Sequence, residues 1–301
     1  MLTRRGMTLV ELLISIVLLA FVGLAATRLM TSMLRVASAQ VQVAGAQGIS
    51  RTGTLAIPAE FREIGFDTIP GVGINSDLES IAAYRLTFRA MRGVGITCSV
   101  AAGVNEFKIR TPLFGMRAPM LTDSFRLFVE NDVNRGDDDQ WVSLAVTAID
   151  ASTCGADAAV TLTLSSAPLH LSGGTAILAS EVFVGGPIRW YERMEYGPVI
   201  DGTTSRTYIG ARSLNLNQNT LTAMIGPLPD STGFALTYYD AVGGVLDPTV
   251  AANKVKVRSI GLRTIGTTSA AISLAGSSNR SRSNSPVFTR VALRNNLRPA
   301  P

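Results

Sequence analysis

Apolar residues fill the start of the chain almost without interruption. From Met7 to Thr27 the run is broken only by Glu11, and a helix of this length spans about 30 Å, the thickness of bilayer hydrocarbon. Two basic residues, Arg4 and Arg5, stand before it. The pattern therefore predicts a membrane-spanning helix, about residues 7–28, whose basic end stays in the cytoplasm.

After Arg28 the apolar positions keep a helical period. Six of them lie alternately four and three residues apart, which is the spacing of a heptad seam. Its outer members are small and allow close approach of another helix or of the chain's own globular part. Pro58 is expected to bound the helix, so we predict one helix over residues 7–55. The positions, called the seam below, are Met30, Leu34, Ala37, Val41, Ala44 and Gly48.

From Glu60 onward the helical period fades, and short alternating stretches are separated by Gly, Pro, Asn and Asp. The predicted fold class is α+β: a long N-terminal helix packed on a globular domain, residues 56–301, that is rich in antiparallel β-sheet. The strand candidates are Tyr84–Ala90, Glu106–Arg110, Phe125–Val129, Trp141–Ile149, Ala159–Leu164, Ala176–Val184, Ile188–Met194, Thr207–Ala211, Leu221–Ile225, Phe234–Tyr239, Val255–Thr264 and Val287–Arg294.

The composition argues against an enzyme. The 301 residues include one histidine and two cysteines. A multi-histidine metal site or a four-cysteine zinc site cannot be built, and His170 is the one candidate for a catalytic triad. The sequence also lacks a Gly-x-Ser-x-Gly elbow and the glycine patterns that bind nucleotide phosphates.

Two ordinary interpretations of the N-terminus leave Glu11 without a role. One is a secretory signal peptide, because Gly23-Leu24-Ala25 before Ala26 has the small residues of a cleavage site. The other is a plain membrane anchor. A carboxylate near the centre of a membrane helix costs roughly 2.5 kcal/mol or more, and such residues are usually functional.

The segment Gly6-Met7-Thr8-Leu9-Val10-Glu11-Leu12 resembles the cleavage and methylation motif of type IV prepilins and pseudopilins. The resemblance implies that a prepilin peptidase removes residues 1–6 by cutting after Gly6, and that it methylates Met7. Glu11 is then the fifth residue, where the family has its acidic residue, although the family usually begins with Phe rather than Met. Four residues separate Met7 from Glu11, so the carboxylate can neutralise the new ammonium group of its own chain or of a neighbour during assembly.

The same resemblance implies a structural role. The chain would be a minor pilin or pseudopilin in a type IV pilus-like or type II secretion filament, with an inner-membrane assembly platform and other pilins as partners. It would sit in the inner membrane as a single-pass protein with its domain in the periplasm before entering the filament. A secreted or membrane-anchored β-rich binding protein or adhesin, with an ordinary signal sequence, is the alternative.

A second resemblance lies near the C-terminus. An aromatic strand that ends in Asp240 is followed by Val255–Leu262, which mixes apolar and basic residues, and by Phe288–Asn295, which closes in Arg-Asn. This ending is similar to that of large minor pilins of the PilW class and of J-type pseudopilins. It favours a large minor subunit over a major pilin, as does the length of the chain.

Cys98 and Cys154 are the two thiols of the chain. Because the domain is expected outside the cytoplasm, we expect a disulfide between them, with two reduced and unrelated thiols as the alternative. Closing a loop of about 57 residues stabilises a fold by roughly 4 kcal/mol in the chain-entropy model.

An acidic segment, 130–139, lies between two strand candidates. Oxygen ligands at alternate positions suit Ca²⁺, but the segment lacks the glycine and the final glutamate of an EF-hand loop. A calcium site and a solvated turn therefore both stay open, and no other cofactor is expected. The candidate ligands are Asp132, Asn134, Asp137, Asp138 and Asp139.

Basic residues are concentrated at the C-terminal end: residues 251–301 hold nine of them and no Asp or Glu. Read as a strand, Lys254-Val-Lys-Val-Arg258 places its cations on one face. That face could dock an acidic surface of a neighbouring subunit, match acids of its own domain, or bind DNA. DNA is the least favoured, because no aromatic stacking platform interleaves with the cations.

Overall fold

The computed structural model describes residues 8–69, 73–130, 139–171, 174–273 and 279–294. One long helix, α1 (Leu9–Phe61), comes first, and a β-rich domain follows. Three short 3₁₀ turns lie at Ala179–Glu181, Ser231–Gly233 and Ala251–Lys256. The strands are β1 (Phe66–Ile69), β2 (Gly73–Ser76), β3 (Leu78–Ile81), β4 (Leu86–Val100), β5 (Glu106–Gly115), β6 (Ser124–Val129), β7 (Gln140–Leu144), β8 (Val146–Cys154), β9 (Asp157–Leu164), β10 (Pro187–Asp201), β11 (Arg206–Ser213), β12 (Thr222–Leu228), β13 (Phe234–Tyr239), β14 (Val245–Leu246), β15 (Ser259–Thr267), β16 (Ile272–Ser273), β17 (Arg280–Ser281) and β18 (Asn284–Ala292).

These strands pair antiparallel and form two main sheets. The larger has ten strands in the order β12-β11-β10-β4-β5-β9-β8, with β3 beside β4, β6 beside β10, and β7 beside β6. The smaller runs β14-β13-β15-β18, and α1 packs mainly on its β15 and β18. A long helix on antiparallel sheet confirms the predicted α+β fold class.

Two strands of fifteen residues, β4 and β10, pair with each other and connect two apolar cores. The first core lies between the end of α1, one end of these strands and the smaller sheet, with Phe61, Phe88 and Tyr196 in edge and stacked contacts. The second core lies at the other end of the strands and includes Trp190 and Phe107. The helix thus contacts one core directly and reaches the other through β4 and β10.

The helix does not end where the sequence predicts. It continues past Leu55 and Pro58 to Phe61, with Pro58 inside its last turn. Ile57, Pro58 and Phe61 are all buried against the domain. Burial of two large apolar side chains stabilises by about 3–6 kcal/mol, which offsets the roughly 3 kcal/mol that a proline costs within a helix.

The predicted cationic strand is also wrong. Residues 251–256 form a 3₁₀ turn, and β15 begins only at Ser259. The turn packs near β3, where Lys254 donates to the carbonyl of Glu79 at 3.4 Å, while the Arg258 guanidinium bonds the carbonyls of Val255 and Val257. The three cations therefore do not share a strand face, and the argument for a DNA-binding or docking face on that strand falls.

The candidate strand Ala176–Val184 is wrong as well. Ala176 forms an isolated bridge with Leu169, and the chain then turns at Ala179–Glu181. The Glu181 carboxylate causes this turn locally, since it accepts the backbone N–H of Leu178 at 2.7 Å and also contacts His170 Nε2 at 3.1 Å. Such side-chain bonds to the backbone compete with strand pairing.

Candidate functional site

Helix α1 begins with a capping box at Thr8 and Glu11. The Glu11 backbone N–H donates to the Thr8 hydroxyl at 3.3 Å, and the Thr8 backbone N–H donates to the Glu11 carboxylate at 3.2 Å. These bonds satisfy two N–H groups that a helix start leaves without partners, and the carboxylate lies at the positive end of the helix dipole. Glu11 therefore has a structural role in the single chain, and it is solvent-exposed.

The first half of α1 contacts no part of the domain that the structure describes. Its most apolar window has a mean hydropathy of 2.7 and is 0% buried. Three hydroxyl side chains in this half bond the helix's own carbonyls: Ser15 donates to Glu11, Thr27 to Gly23 and Thr31 to Arg28, at 2.8–3.0 Å. A helix that satisfies its polar groups internally is suited to hydrocarbon.

The second half of α1 has two opposite faces. One face is buried on the domain and consists of Ala46, Ser50, Gly53, Ile57 and Phe61. The seam lies two residues away from this row, and two residues turn a helix by about 200°. The seam consequently faces away from the domain: Met30 is 64% exposed, Leu34 60% and Val41 70%, and nothing lies within 4 Å of a side chain built at Gly48.

The sequence model of the prokaryotic N-terminal methylation motif matches residues 1–27. No curated protein and no solved structure matches the chain in these comparisons. The motif and the exposed apolar helix together indicate a type IV prepilin-like protein. The motif implies processing by a peptidase and assembly with other pilins, the apolar helix indicates membrane anchoring, and both are typical of a structural protein.

Within the prepilin-like N-terminus, the structure shows Thr8 and Glu11. The predicted processing residues Gly6 and Met7 and the leader cations Arg4 and Arg5 lie outside the described residues. The structure therefore gives no distance between Glu11 and the amine of Met7. Pairing of these two groups stays a prediction.

The helix is seated closely on β15 through small and polar residues. Ser50 is fully buried, its hydroxyl accepts the Gly266 backbone N–H at 2.7 Å, and it donates to the carbonyl of Ser285 on β18. A side chain built at Gly266 would lie 2.1 Å from the Ala46 carbonyl oxygen. Only glycine leaves room for the helix backbone to approach β15 so closely.

A buried ion network fastens the C-terminal end of α1 to the long strands. Arg92 on β4 donates to Glu192 on β10 at 2.7 Å and to Glu60 on α1 at 3.3 Å. The Tyr196 hydroxyl donates to the other oxygen of Glu60 at 3.0 Å. Burial alone lowers the pKa of Arg92, but its bonds to Glu192 and Glu60 outweigh burial and raise that pKa. The end of the helix is thus held by charges that solvent barely reaches.

The distal end of the domain carries the two cysteines. The structure joins Cys98 on β4 to Cys154 on β8 in a disulfide, 56 residues apart in sequence. β5 and β9 lie between these strands in the larger sheet, so the disulfide connects strands that are not hydrogen-bonded neighbours. It closes the sheet at the end farthest along β4 from the helix.

Among the residues that the structure describes, no calcium site is formed. Asp132, Asn134, Asp137 and Asp138 lie outside the described residues, and Asp139 is half-buried beside Gln140. Among the described ranges, no group of three or more His, Cys, Asp or Glu is placed to hold a metal ion. Calcium binding by segment 130–139 stays an expectation from the sequence.

The sequence interpretation missed Thr8, Ser50, Gly266 and Arg92. Thr8 could have been found, because a Thr followed three residues later by Glu before an apolar run is the signature of a capping box. Ser50 and Arg92 gave no local signal, since their partners lie 216 and 100 residues away along the chain.

Proposed function

We propose that this chain is a minor pilin or pseudopilin, a structural subunit that enters a type IV pilus-like filament through α1. One observation supports this most: the seam is apolar, rich in small residues and turned away from the chain's own domain. Burying such a row against the helices of neighbouring subunits removes apolar surface from water or lipid and lets their backbones approach closely. The domain, held on the opposite face, then decorates the filament.

Assembly begins with processing at the membrane. The prepilin peptidase removes residues 1–6 and methylates Met7, and α1 anchors the chain in the inner membrane with its domain on the periplasmic side. Glu11 leaves its capping bonds with Thr8 and pairs with the Met7 amine of its own chain or of a neighbour. Charge pairing in low dielectric favours the correct subunit register, because an unpaired charge there is costly. An assembly platform and other pilins are the partners.

The resemblance of the C-terminal segment supports a large subunit of the PilW or J type, whose role is to help filament assembly or to act at the tip. In the structure, that segment supplies β13, β15 and β18, the strands on and beside which α1 is seated. The part of the sequence that carries this resemblance is therefore also the part that orients the seam away from the domain.

We expect the mature chain to begin at methylated Met7, and we expect Gly6→Leu to leave the full-length precursor in the membrane. A glycine presents no side chain to the peptidase, whereas leucine fills the space beside the bond to be cut. Mass spectrometry of the N-terminal peptide distinguishes the two forms. A native chain that starts near Ala26, or normal cleavage of Gly6→Leu, would support an ordinary signal sequence instead.

We expect Ala44→Glu to reduce incorporation into filaments by about tenfold or more, because it buries an unpaired carboxylate in the proposed subunit contact. Gln47→Glu is the matched control: it adds the same charge three residues on, off the seam, and both positions are exposed in the single chain. Incorporation is measured as the ratio of filament-bound to membrane-bound chain. Equal ratios for the two variants would refute the seam as the contact.

A further inference from the structure

The part of the domain nearest the membrane segment is the small hairpin of β16 and β17. A cleft of about 350 Å³ separates it from α1 and is lined by Leu34, Arg35, Ile272 and Arg280, among others. Gln42 also lines the cleft, and its side chain accepts the backbone N–H of Ser269 at 3.1 Å. The hairpin is therefore held against the helix at the level of residues 34–42.

Five arginines lie at this end of the domain or on the part of α1 that leads into it, and we call them the collar: Arg28, Arg35, Arg206, Arg280 and Arg282. Arg28 and Arg35 lie eighteen and eleven residues before Ala46, close to whole numbers of helical turns, so they point to the domain side of α1. Arg280 lines the cleft beside Arg35. Arg206, at the start of β11, donates to the carbonyl of Thr268 at 3.1 Å, which places it beside the hairpin.

The charge of the collar is not neutralised within the described part of the chain. No carboxylate there lies within 4.0 Å of a collar arginine, whereas arginines elsewhere, such as Arg85, Arg92 and Arg117, form salt bridges. Burial, and then repulsion by Arg282, lowers the pKa of Arg206. One acid, Asp201, lies opposite Arg206 in the register of β10 and β11. Its carboxylate instead accepts the backbone N–H and the hydroxyl of Thr204, at 2.9 and 2.7 Å.

The absence of acids here follows from the sequence. No Asp or Glu occurs from Leu12 to Ala59 or from Ala251 to the last residue, and these segments supply α1 and the hairpin. Several acids, among them Glu60, Asp77 and Glu195, instead form ion pairs near the far end of α1 and at the larger sheet. A surface of this kind attracts anions, and its field is strongest where the arginines converge.

The collar lies at the height of the lipid headgroups. If the hydrocarbon ends near Thr27, then Arg28 is at the boundary and Arg35 is about 10 Å beyond it along the helix. The headgroup layer adds about 5–8 Å on each side of the hydrocarbon, and an arginine side chain extends several ångströms further. Arg28, Arg35 and Arg280 are exposed and within reach of lipid phosphates, and Arg206 and Arg282 add to the positive field.

We propose that the collar binds the phosphate groups of anionic phospholipids on the membrane surface from which α1 emerges. This inference rests on the proposed function only in that α1 anchors the chain in a membrane. Guanidinium groups bind phosphate oxygens with two parallel hydrogen bonds, which suits arginine to this role. The contact holds the domain against the bilayer before assembly and is broken as α1 leaves the lipid.

The test uses the full chain in lipid nanodiscs, either of phosphatidylcholine alone or with about a third phosphatidylglycerol. A donor dye on Ala271→Cys, an exposed position in the hairpin region, reports energy transfer to acceptor dyes on the headgroups at equal density. The collar variant is Arg35→Gln/Arg280→Gln/Arg282→Gln. The control variant, Arg62→Gln/Arg110→Gln/Arg294→Gln, removes the same charge from exposed arginines remote from the hairpin.

We expect transfer to be higher in the anionic discs, to fall to the phosphatidylcholine value at 1 M salt and in the collar variant, and to be unchanged in the control variant. Each arginine near an anionic surface raises the membrane-bound population of the domain about fivefold. The collar variant, which lacks three arginines, should therefore show a bound population at least tenfold smaller. Equal energy transfer in both kinds of disc, or an equal loss of transfer in both variants, would refute lipid binding by the collar and leave the proposed function unaffected.

Two further outcomes would also overturn the proposal. A chain that purifies with neither kind of disc refutes membrane anchoring, and with it the proposed function. Binding of duplex DNA to the chain in phosphatidylcholine discs that is lost in the collar variant, with no effect of phosphatidylglycerol on transfer, reassigns the collar to nucleic acid.

Discussion

Arg92→Met is expected to lower the free energy of unfolding of the domain by about 3–5 kcal/mol, because it leaves Glu60 in a poorly solvated site without its cation and Glu192 with only the more distant Arg117, at 3.7 Å. The Arg92 side chain is 7% exposed, and those of its partners Glu60 and Glu192 are 22% and 12% exposed. Urea unfolding of the full chain in detergent micelles, followed by tryptophan fluorescence, measures the loss, since Trp190 is fully buried.

Two comparisons isolate the cause. Arg110→Met breaks a salt bridge with Asp157 in which both side chains are 56% exposed, and it should cost less than about 1 kcal/mol. Adding Glu60→Gln and Glu192→Gln to Arg92→Met removes the unpaired charges and should restore much of the stability. If Arg92→Met and Arg110→Met cost the same, the network does not hold the helix end.

Gly266→Ala is the second large effect that we expect, with a loss of about 1–3 kcal/mol. The new methyl group would lie 2.1 Å from the Ala46 carbonyl oxygen and 2.9 Å from the Ser50 hydroxyl. Because the nearer atom is helix backbone, it cannot turn aside, and α1 must move off β15. The same urea titration reports the loss, and hydrogen exchange at residues 46–53 should rise.

Gly48→Ala is the matched control. It is the same substitution two residues along the helix from Ala46, where nothing lies within 4 Å of the added carbon. Replacing a glycine inside a helix with alanine should stabilise the chain by about 0.5–1 kcal/mol. Opposite signs for the two variants would place the domain contact on the buried row of α1, and a loss at both would contradict it.

The sequence predicted the helix and its seam because an almost unbroken apolar run over residues 7–27 is followed by apolar residues at helical spacing from Met30 to Gly48. It did not predict which face of the helix packs on the domain. Hydropathy favours burial of the face that carries Leu34 and Val41. The domain instead contacts Ala46, Ser50 and Gly53, whose small side chains let the backbones approach closely. A close contact between backbones leaves no apolar signal in the sequence.

Two of the errors elsewhere in the fold share a cause. The helix passes Pro58 because Ile57 and Phe61 are buried by strands that lie far along the chain. The alternation Lys-Val-Lys-Val fits a strand, but the segment turns before β15. In each case contacts with residues far along the chain outweighed the preference of the local sequence for another structure. At the candidate site, the residues of the N-terminal motif were predictable since their signal is local.

The two long strands give the molecule a path for mechanical tension. In the filament proposed above, a pull along α1 would pass to Phe61 and Glu60, and from there into β4 and β10 through Phe88, Tyr196 and Arg92. Ten residue pairs join these strands in antiparallel register, and a pull along their length strains the hydrogen bonds together rather than one after another. A domain built in this way resists shearing between the end that is joined to α1 and the end that carries the disulfide.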